Sequence, residues 1–368
     1  MRRRLAAVLL ISLASSSRAD DGGARVTFGG KPAASRIGLV PAGPGGVLWD
    51  SGPSDPLAAD YKAILIQGVL PDPGLVFEAR LRGGAGWGPA ARAGVTRFEN
   101  GRFWAKFPLS GRKGDVVRLI LREGGLSSYE DVRLSGIELV SREREGRVLA
   151  ASAPVEPPIP APAEKPTVLS RESWGAAPAA TPYEPMIPAR ITIHHTETVQ
   201  PAAPKEAAEE LRVIQNFHQH GRGWIDIGYH FLIDGSGRIW QGRPEMVVGA
   251  HVQDRNEGNV GIALMGDFQG PEGEKPTPKQ IRSLISLVRW LAAAYGIPPS
   301  EIRGHRDQQS TTCPGDRLYA RLGRIRREAA AAPPAVATRL RGTGVPAAAR
   351  IPAELHGSGI LFDGRGSR

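Results

Sequence analysis

A run of proline and alanine divides this chain: Ala153-Pro154-Val155-Glu156-Pro157-Pro158-Ile159-Pro160-Ala161-Pro162-Ala163-Glu164-Lys165-Pro166. Proline fixes φ and lacks a backbone donor, so the segment suits neither a helix interior nor a central strand. It reads as an extended, semi-rigid connector. Together with the solvated charge run Arg142-Glu143-Arg144-Glu145, it marks residues 141–166 as a linker. A chain of 368 residues is also long for one domain. Two modules able to reorient independently are expected.

Upstream, apolar and polar residues alternate. Ala63-Ile64-Leu65-Ile66-Gln67-Gly68-Val69-Leu70, Gly74-Leu75-Val76-Phe77-Glu78-Ala79-Arg80-Leu81 and Arg102-Phe103-Trp104-Ala105-Lys106-Phe107 are bounded by Gly, Pro and Asp clusters. Val116 to Arg122 and Val132 to Val140 continue the pattern. Short period-two segments without a long helical stretch predict an all-β, sandwich-like accessory module over residues 24–140. Trp49, Trp87 and Trp104 are candidates for a sugar-stacking surface, although core or corner packing is the commoner fate of such side chains. Gly83-Gly84-Ala85-Gly86-Trp87-Gly88 lacks the strand-to-helix setting of a phosphate loop and reads as a turn.

The extreme N-terminus speaks to compartment. Arg2-Arg3-Arg4 is a basic start, Leu5 to Leu13 a short apolar core, and Ser17-Arg18-Ala19 places small residues where a signal peptidase reads. Residues 1–19 therefore read as a secretory signal, too short in its apolar core to span a bilayer. The segment has no cysteine for lipoprotein attachment, and no other stretch reads as transmembrane. The expected protein is secreted, periplasmic or associated with the cell wall. Residues 331–368 are rich in Ala, Pro, Arg and Gly without periodicity and read as a disordered basic tail.

The formal charge of +10 favours an acidic partner: nucleic acid, an anionic membrane or a cell-wall polymer. An arginine-preferring composition with no such partner accounts for it equally well. A nucleic-acid binder would carry base-facing arginines clustered on a helix, and no such element reads out.

Downstream, over residues 167–330, strands alternate with helices. Ala189 to His194 reads as a buried strand, and Lys205 to His220 spaces Ala207, Leu211, Ile214 and Phe217 along one helical face. Ile227 to Ile233 and Arg238 to Gln241 flank Asp234-Gly235-Ser236-Gly237, a hairpin signal. Asn259 to Met265 is another strand. Thr277-Pro278 opens a helix with apolar positions Ile281, Leu284, Ile285, Val288, Leu291 and Ala292, which Gly296 ends. A last helix follows Pro314. The fold class is α/β, a mixed central sheet flanked by helices.

The only cysteine, Cys313, lies eight residues after His305 in Gly304-His305-Arg306-Asp307-Gln308-Gln309-Ser310-Thr311-Thr312-Cys313-Pro314-Gly315. Without a partner for an intramolecular disulfide, it suggests a metal ligand or a nucleophile. Thiolate and imidazole both bind Zn²⁺, and a catalytic zinc site takes three protein ligands and leaves one position open. The pair His194-His195, closing an apolar run, is the best source of a third ligand. His194, His195, His218, His220, His230, His251 and His305 all fall in the α/β module. Any one histidine is by default a satisfied surface or core residue. Ligands on a strand end and a later loop can converge at the carboxyl edge of a sheet.

Ser170-Arg171-Glu172-Ser173-Trp174-Gly175-Ala176, Ile193-His194-His195-Thr196, Asp226 to Ile233, Val248-Gly249-Ala250-His251, Val260 to Phe268 and the Gly304–Gly315 stretch occur in that order. This set resembles the peptidoglycan recognition proteins and the related zinc-dependent N-acetylmuramoyl-L-alanine amidases, over nearly all of residues 167–330. The resemblance implies a zinc ion held by His194, His305 and Cys313, with His195 outside the ligand set. It gives Tyr229 the place of the active-site tyrosine and Thr311 a place where relatives carry lysine or threonine. It makes His218 and His251, and more weakly Asn259, contacts to a muramyl peptide. The alternative for His218 and His251 is that of buried, hydrogen-bonded histidines. His230 stands where asparagine is frequent, Arg243-Pro244-Glu245 departs from the usual groove wall, and the disulfides of animal members are absent. Because the cysteine that non-catalytic members often replace is present, the implied function is a peptidoglycan hydrolase cutting between N-acetylmuramic acid and L-alanine. A recognition protein that binds without cutting and a peptidoglycan endopeptidase are the rivals. Beside such an enzyme, the β module is expected to bind wall glycan or protein.

Overall fold

The computed structural model describes residues 24–330 except 34–35, 40–41, 58–60, 71, 110–113, 127–129, 142–163 and 272. The expected signal segment, most of the linker and the basic tail lie outside the described residues. All described residues fall within one compact unit, Met1–Ala332.

The N-terminal part is built from β1 (Ala24–Arg25), β2 (Val47–Pro53), β3 (Tyr61–Val69), β4 (Leu75–Gly83), β5 (Gly94–Arg97), β6 (Arg102–Pro108), β7 (Val116–Glu123) and β8 (Val132–Ser141). One antiparallel sheet runs β1-β8-β3-β6-β5, and a second has β2, β7 and β4 side by side. Side chains alternate across a strand, so each sheet presents one apolar face. Ile64, Ile66, Phe103, Ala105, Phe107, Ile137 and Leu139 of the first sheet share one buried cluster with Phe77, Ala79, Leu81, Val117, Leu119 and Leu121 of the second. Phe77 and Phe103 stack across it, with ring centroids 5.2 Å apart.

The three tryptophans considered for sugar stacking do not share a face. Trp49 packs against this cluster, Trp87 carries Arg82 over its ring, and Trp104 is buried on the outer face of the first sheet. Period-two alternation decides this, because Trp104 lies between two core residues and must point the other way.

The C-terminal part comprises β9 (Val168–Leu169), β10 (Arg190–His195), α1 (Pro204–Asn216), β11 (Phe231–Ile233), β12 (Ile239–Gln241), β13 (Asn259–Leu264), α2 (Pro278–Tyr295), β14 (Ile302–Gly304), α3 (Asp316–Tyr319) and α4 (Leu322–Ala330). Its sheet has the order β9-β12-β11-β13-β10-β14. The β11–β12 pair is antiparallel and the remaining pairs are parallel. β13 is buried along its whole length, as expected of a strand covered on both faces. Ile191, Ile193, Phe231, Ile233, Ile262 and Leu264 point toward α2 and α4, which contribute Ile281, Leu284, Val288 and Ile325. Leu232, Ala263 and Met265 point the other way, toward Ala207, Leu211 and Ile214 of α1.

Helix α2 begins where the sequence places it. The Thr277 hydroxyl accepts from Gln280 N and the Gln280 side chain accepts from Thr277 N, both at 3.0 Å. Gln280 also donates to the carbonyls of Ile233 and Met265, tying the helix start to two strand ends. Gly296 closes the helix at φ 67°, a conformation that costs glycine little.

The two parts are docked, contrary to the expectation of free reorientation. Trp104 Nε1 donates to Asn216 Oδ1 at 3.0 Å, Lys106 Nζ donates to the Gly221 carbonyl at 2.9 Å, and Arg102 Nε lies 3.3 Å from Glu210 Oε2. Arg25 pairs with Glu197 and Glu138 with Arg222. Leu65, Trp104 and Phe217 form a small apolar cluster at the same seam.

Candidate active site

Strand β10 explains why only one of the paired histidines can be a ligand. Consecutive residues on a strand face opposite sides. His194 emerges on the α1 side, whereas His195 emerges on the α2 side, where its Nδ1 accepts from Phe268 N at 3.2 Å. The ring of His195 meets Glu197 Oε1 through Nε2, at 3.3 Å.

Next to β10, the parallel strand β14 ends at Gly304, so His305 follows at the same carboxyl edge of the sheet. The chain then folds back on itself. Arg306 N donates to the Cys313 carbonyl at 3.0 Å, and the Arg306 guanidinium reaches the Thr312 carbonyl. The Thr311 hydroxyl oxygen accepts from Cys313 N at 3.2 Å, so Thr311 holds the loop that presents the thiol. His194, His305 and Cys313 are all fully buried, with one ligand atom of each lying within 4.8 Å of the other two.

Hydrogen-bond partners assign the tautomers. His251 Nε2 lies 2.9 Å from the Asn259 carbonyl, which can only accept, so that nitrogen carries the proton. His251 Nδ1 is then an acceptor, 3.0 Å from His194 Nε2, which donates. The remaining lone pair of His194 is on Nδ1, 3.5 Å from Cys313 Sγ. A carbonyl–imidazole–imidazole relay therefore leaves His194 neutral with its ligating nitrogen aimed at the cysteine. This is the outer support that metal-ligating histidines ordinarily have. Burial, reinforced by the neighbouring His305, pushes the pKa of His194 well below 6.5, and burial does the same to His251. Two neutral imidazoles and a thiol in one buried cluster fit a metal such as Zn²⁺ in donor type and number.

Replacing His251 by alanine removes the acceptor for His194 Nε2–H. We expect metal affinity to fall about 10–100-fold, the usual cost of losing an outer partner. Competition against a chromophoric chelator measures it, and an unchanged affinity refutes the relay.

Two of the three residues expected to touch a muramyl peptide are placed elsewhere. Both ring nitrogens of His251 are engaged as above, and the residue is 1% exposed. Asn259 is fully buried, its Oδ1 accepting from the Thr192 hydroxyl and its Nδ2 donating to the Arg255 carbonyl. Both lie beneath the ligand cluster. The ring of His251 needs Gly261 on β13, where a Cβ would stand 2.7 Å from it. His218 does line a cavity, together with Tyr229 and Phe217. It sits on a wider π-type turn, Phe217–Arg222, that continues α1, and its Nδ1 accepts from Gly228 N at 3.1 Å. Gly228 packs so closely that a Cβ would lie 2.2 Å from the Ala250 carbonyl. Tyr229 is buried beside the cluster, its ring centroid 5.2 Å from that of His194.

His230 is structural. Its Nε2 donates to the Val247 carbonyl at 2.8 Å and its Nδ1 accepts from Gly261 N at 2.9 Å. Arg243, in the departing groove-wall stretch, is 4% exposed and binds the carbonyls of Ile227 and Val248. Glu197 is the site neighbour that sequence reasoning missed. It has φ 51°, and its carboxylate meets Arg25, the Thr312 hydroxyl at 3.2 Å and His195. Its position three residues after His194 is the only sequence signal, and two of its partners, Arg25 and Thr312, lie more than a hundred residues away on either side.

The family model described as N-acetylmuramoyl-L-alanine amidase matches residues 184–316. The chain belongs to this family of peptidoglycan recognition proteins and N-acetylmuramoyl-L-alanine amidases. Peptidoglycan-recognition protein LB of Drosophila melanogaster is 36% identical over 160 residues, covering 42% of this chain and 67% of that protein. Peptidoglycan recognition protein 1 of Bos indicus is 33% identical over 156 residues, covering 42% of this chain and 80% of that protein. N-acetylmuramoyl-L-alanine amidase of Sus scrofa is 34% identical over 165 residues, covering 43% of this chain but only 27% of that longer protein. The solved structure of Drosophila PGRP-LB shares 34% identity, covering 43% of this chain and 92% of that one, with a TM-score of 0.39.

Proposed function

We propose that this chain is a zinc-dependent N-acetylmuramoyl-L-alanine amidase that hydrolyses the amide between the lactyl group of N-acetylmuramic acid and L-alanine of the stem peptide. The observation that carries this is the buried His194–His305–Cys313 cluster with its relay through His251. A residue set kept only for binding would not need a neutral imidazole oriented toward a thiol.

A zinc ion, when bound there, supplies Lewis acidity toward a carbonyl and toward water. Among the protein's own groups, His194 and His305 offer neutral nitrogens and Cys313 one negative charge, which leaves a site of net charge about +1. Tyr229 donates its hydroxyl proton in a hydrogen bond to the oxyanion that develops on the lactyl carbonyl. Thr311 keeps Cys313 in place through its backbone N–H. His218 contacts the peptide from the π-type turn. The carbon–nitrogen bond breaks, the elements of water are added, and the amine of L-alanine leaves with the proton.

The basic start and short apolar core of residues 1–19 support export as part of this reading, which would bring the protein to its substrate outside the cytoplasm. Among the described residues, no helix is long and apolar enough to cross a membrane.

Digestion of purified sacculi with zinc-loaded protein, followed by mass spectrometry, tests the reading. Stem peptides with a free N-terminal L-alanine are expected. Fragments starting at another residue make it an endopeptidase, and tight binding with no release makes it a recognition protein. Tyr229→Phe keeps the buried ring and removes the hydroxyl, so kcat should fall about 10²–10³-fold with metal content unchanged. A rate within a factor of about two of wild type removes Tyr229 from oxyanion stabilisation.

A further inference from the structure

We propose that the N-terminal sheets form a lid over the catalytic groove, so that the docked chain is a latent amidase and a muramyl peptide enters only when the seam parts. The inference rests on the amidase reading. It starts from strand alternation. On β3, β6 and β8 the residues between core positions, among them Leu65, Arg102, Trp104 and Glu138, point away from the sandwich core. A free sheet face would leave them in water, yet here they are 1%, 3%, 8% and 6% exposed.

What covers them is the rim of the site. Trp104 and Lys106 bond to Asn216 and Gly221, which bracket His218 at the end of α1, and Arg222, four residues after His218, pairs with Glu138. Arg25 pairs with Glu197, whose carboxylate also meets the Thr312 hydroxyl beside Cys313. A cavity between the parts, lined by Gln67, Arg102 and Glu138 on one side and Thr196, His218 and Tyr229 on the other, holds about 30 Å³. That volume suits a water molecule or two. A sugar bearing a peptide requires a site on the order of 300 Å³ or more.

The charged groups of the seam are matched with one another, Arg102 with Glu210 and Glu138 with Arg222, so they close the groove rather than extend it. The seam is also built to part. Among the described residues, its apolar cluster holds three buried side chains, Leu65, Trp104 and Phe217, against twenty in the core of the sheets. Buried ion pairs add little net attraction, because desolvation offsets most of the Coulomb gain.

The sole cysteine gives a readout independent of catalysis. In metal-free, full-length protein, the rate at which iodoacetamide alkylates Cys313 reports access to the bottom of the groove. Glu138→Arg opposes Arg222, and Trp104→Ala removes the largest apolar contact of the seam. If the closed form dominates, both variants should label about tenfold faster and cleave a soluble muramyl tripeptide about tenfold faster, because the competent fraction rises by that factor. Circular dichroism melting identifies a variant that has merely unfolded, and the other variant then carries the test. Unchanged labelling in a folded variant overturns the lid. Slower cleavage in both also overturns it, since the sheets would then be a required wall of the site. Faster labelling with no released peptide in any variant leaves the lid standing and refutes the amidase reading.

Discussion

Cys313→Ser is expected to abolish both stoichiometric zinc binding and release of stem peptides from sacculi. The substitution is nearly isosteric and the position is fully buried, so the effect is chemical rather than a packing loss. A serine hydroxyl does not ionise near neutral pH, and the site loses its one negative charge and its only soft donor. Affinity should fall by at least the roughly 100-fold upper cost of losing an outer partner, because a ligand itself is removed. Metal content by elemental mass spectrometry and peptide release by the sacculus digest check the two halves separately. A variant that retains one zinc per chain, or digests walls at the wild-type rate, removes Cys313 from the ligand set.

Metal-free protein should lose stability steeply as the pH falls from about 6.5 to about 4. His230 is fully buried and its pKa is lowered from 6.5 to about 4, chiefly by burial. In that window the unfolded chain binds a proton that the folded chain refuses, so acid favours unfolding. The contribution is complete above pH 6.5 and is lost as the pH passes down toward 4. A shift of that size corresponds to roughly 3 kcal/mol from His230 alone. His194 and His251 are shifted in the same direction, again chiefly by burial. Urea denaturation midpoints measured between pH 7 and pH 4 test this. His230→Asn should flatten the dependence. A wild-type midpoint that does not change across the window would show that the histidines titrate normally in the fold.

The accessory sheets pack against the part of the chain that the family model matches. The family model matches residues 184–316, and residues 24–141 lie outside that match. Those sheets touch the functional region through its least ordinary features, the π-type turn that carries His218 and the left-handed Glu197. Backbone conformations of this kind persist only where surrounding contacts hold them, and functional sites are where they concentrate. Here the contacts on Glu197 include Arg25, from the first described strand.

Much of the C-terminal fold was legible in the sequence because the signals are local, whereas the grouping of His194, His305 and Cys313 was what the resemblance implied. The Thr277/Gln280 cap and Gly296 bound α2 through bonds spanning a few residues. Period two along β10 requires His194 and His195 to face opposite ways, and the resemblance names His194 as the ligand. The roles of His251 and Asn259 were not legible, since the same residue types serve as groove contacts or as buried supports. The difference is whether Asn259 turns its carbonyl to His251 and its side chain to Thr192, a matter of packing between neighbouring strands.

The sequence by itself determined many strand and helix positions and supplied the histidine and cysteine donors, because backbone periodicity and donor chemistry act over short distances. Only the tertiary structure decided what the outer face of β3, β6 and β8 meets. Trp104 reaches Asn216 across 112 positions and Arg222 reaches Glu138 across 84. Alternation requires that Trp104 leave the core of the sheets, yet it carries no information about the surface that receives it. That choice is made by matching ion pairs and apolar area between distant segments, and here it buries Trp104 at the rim of the site.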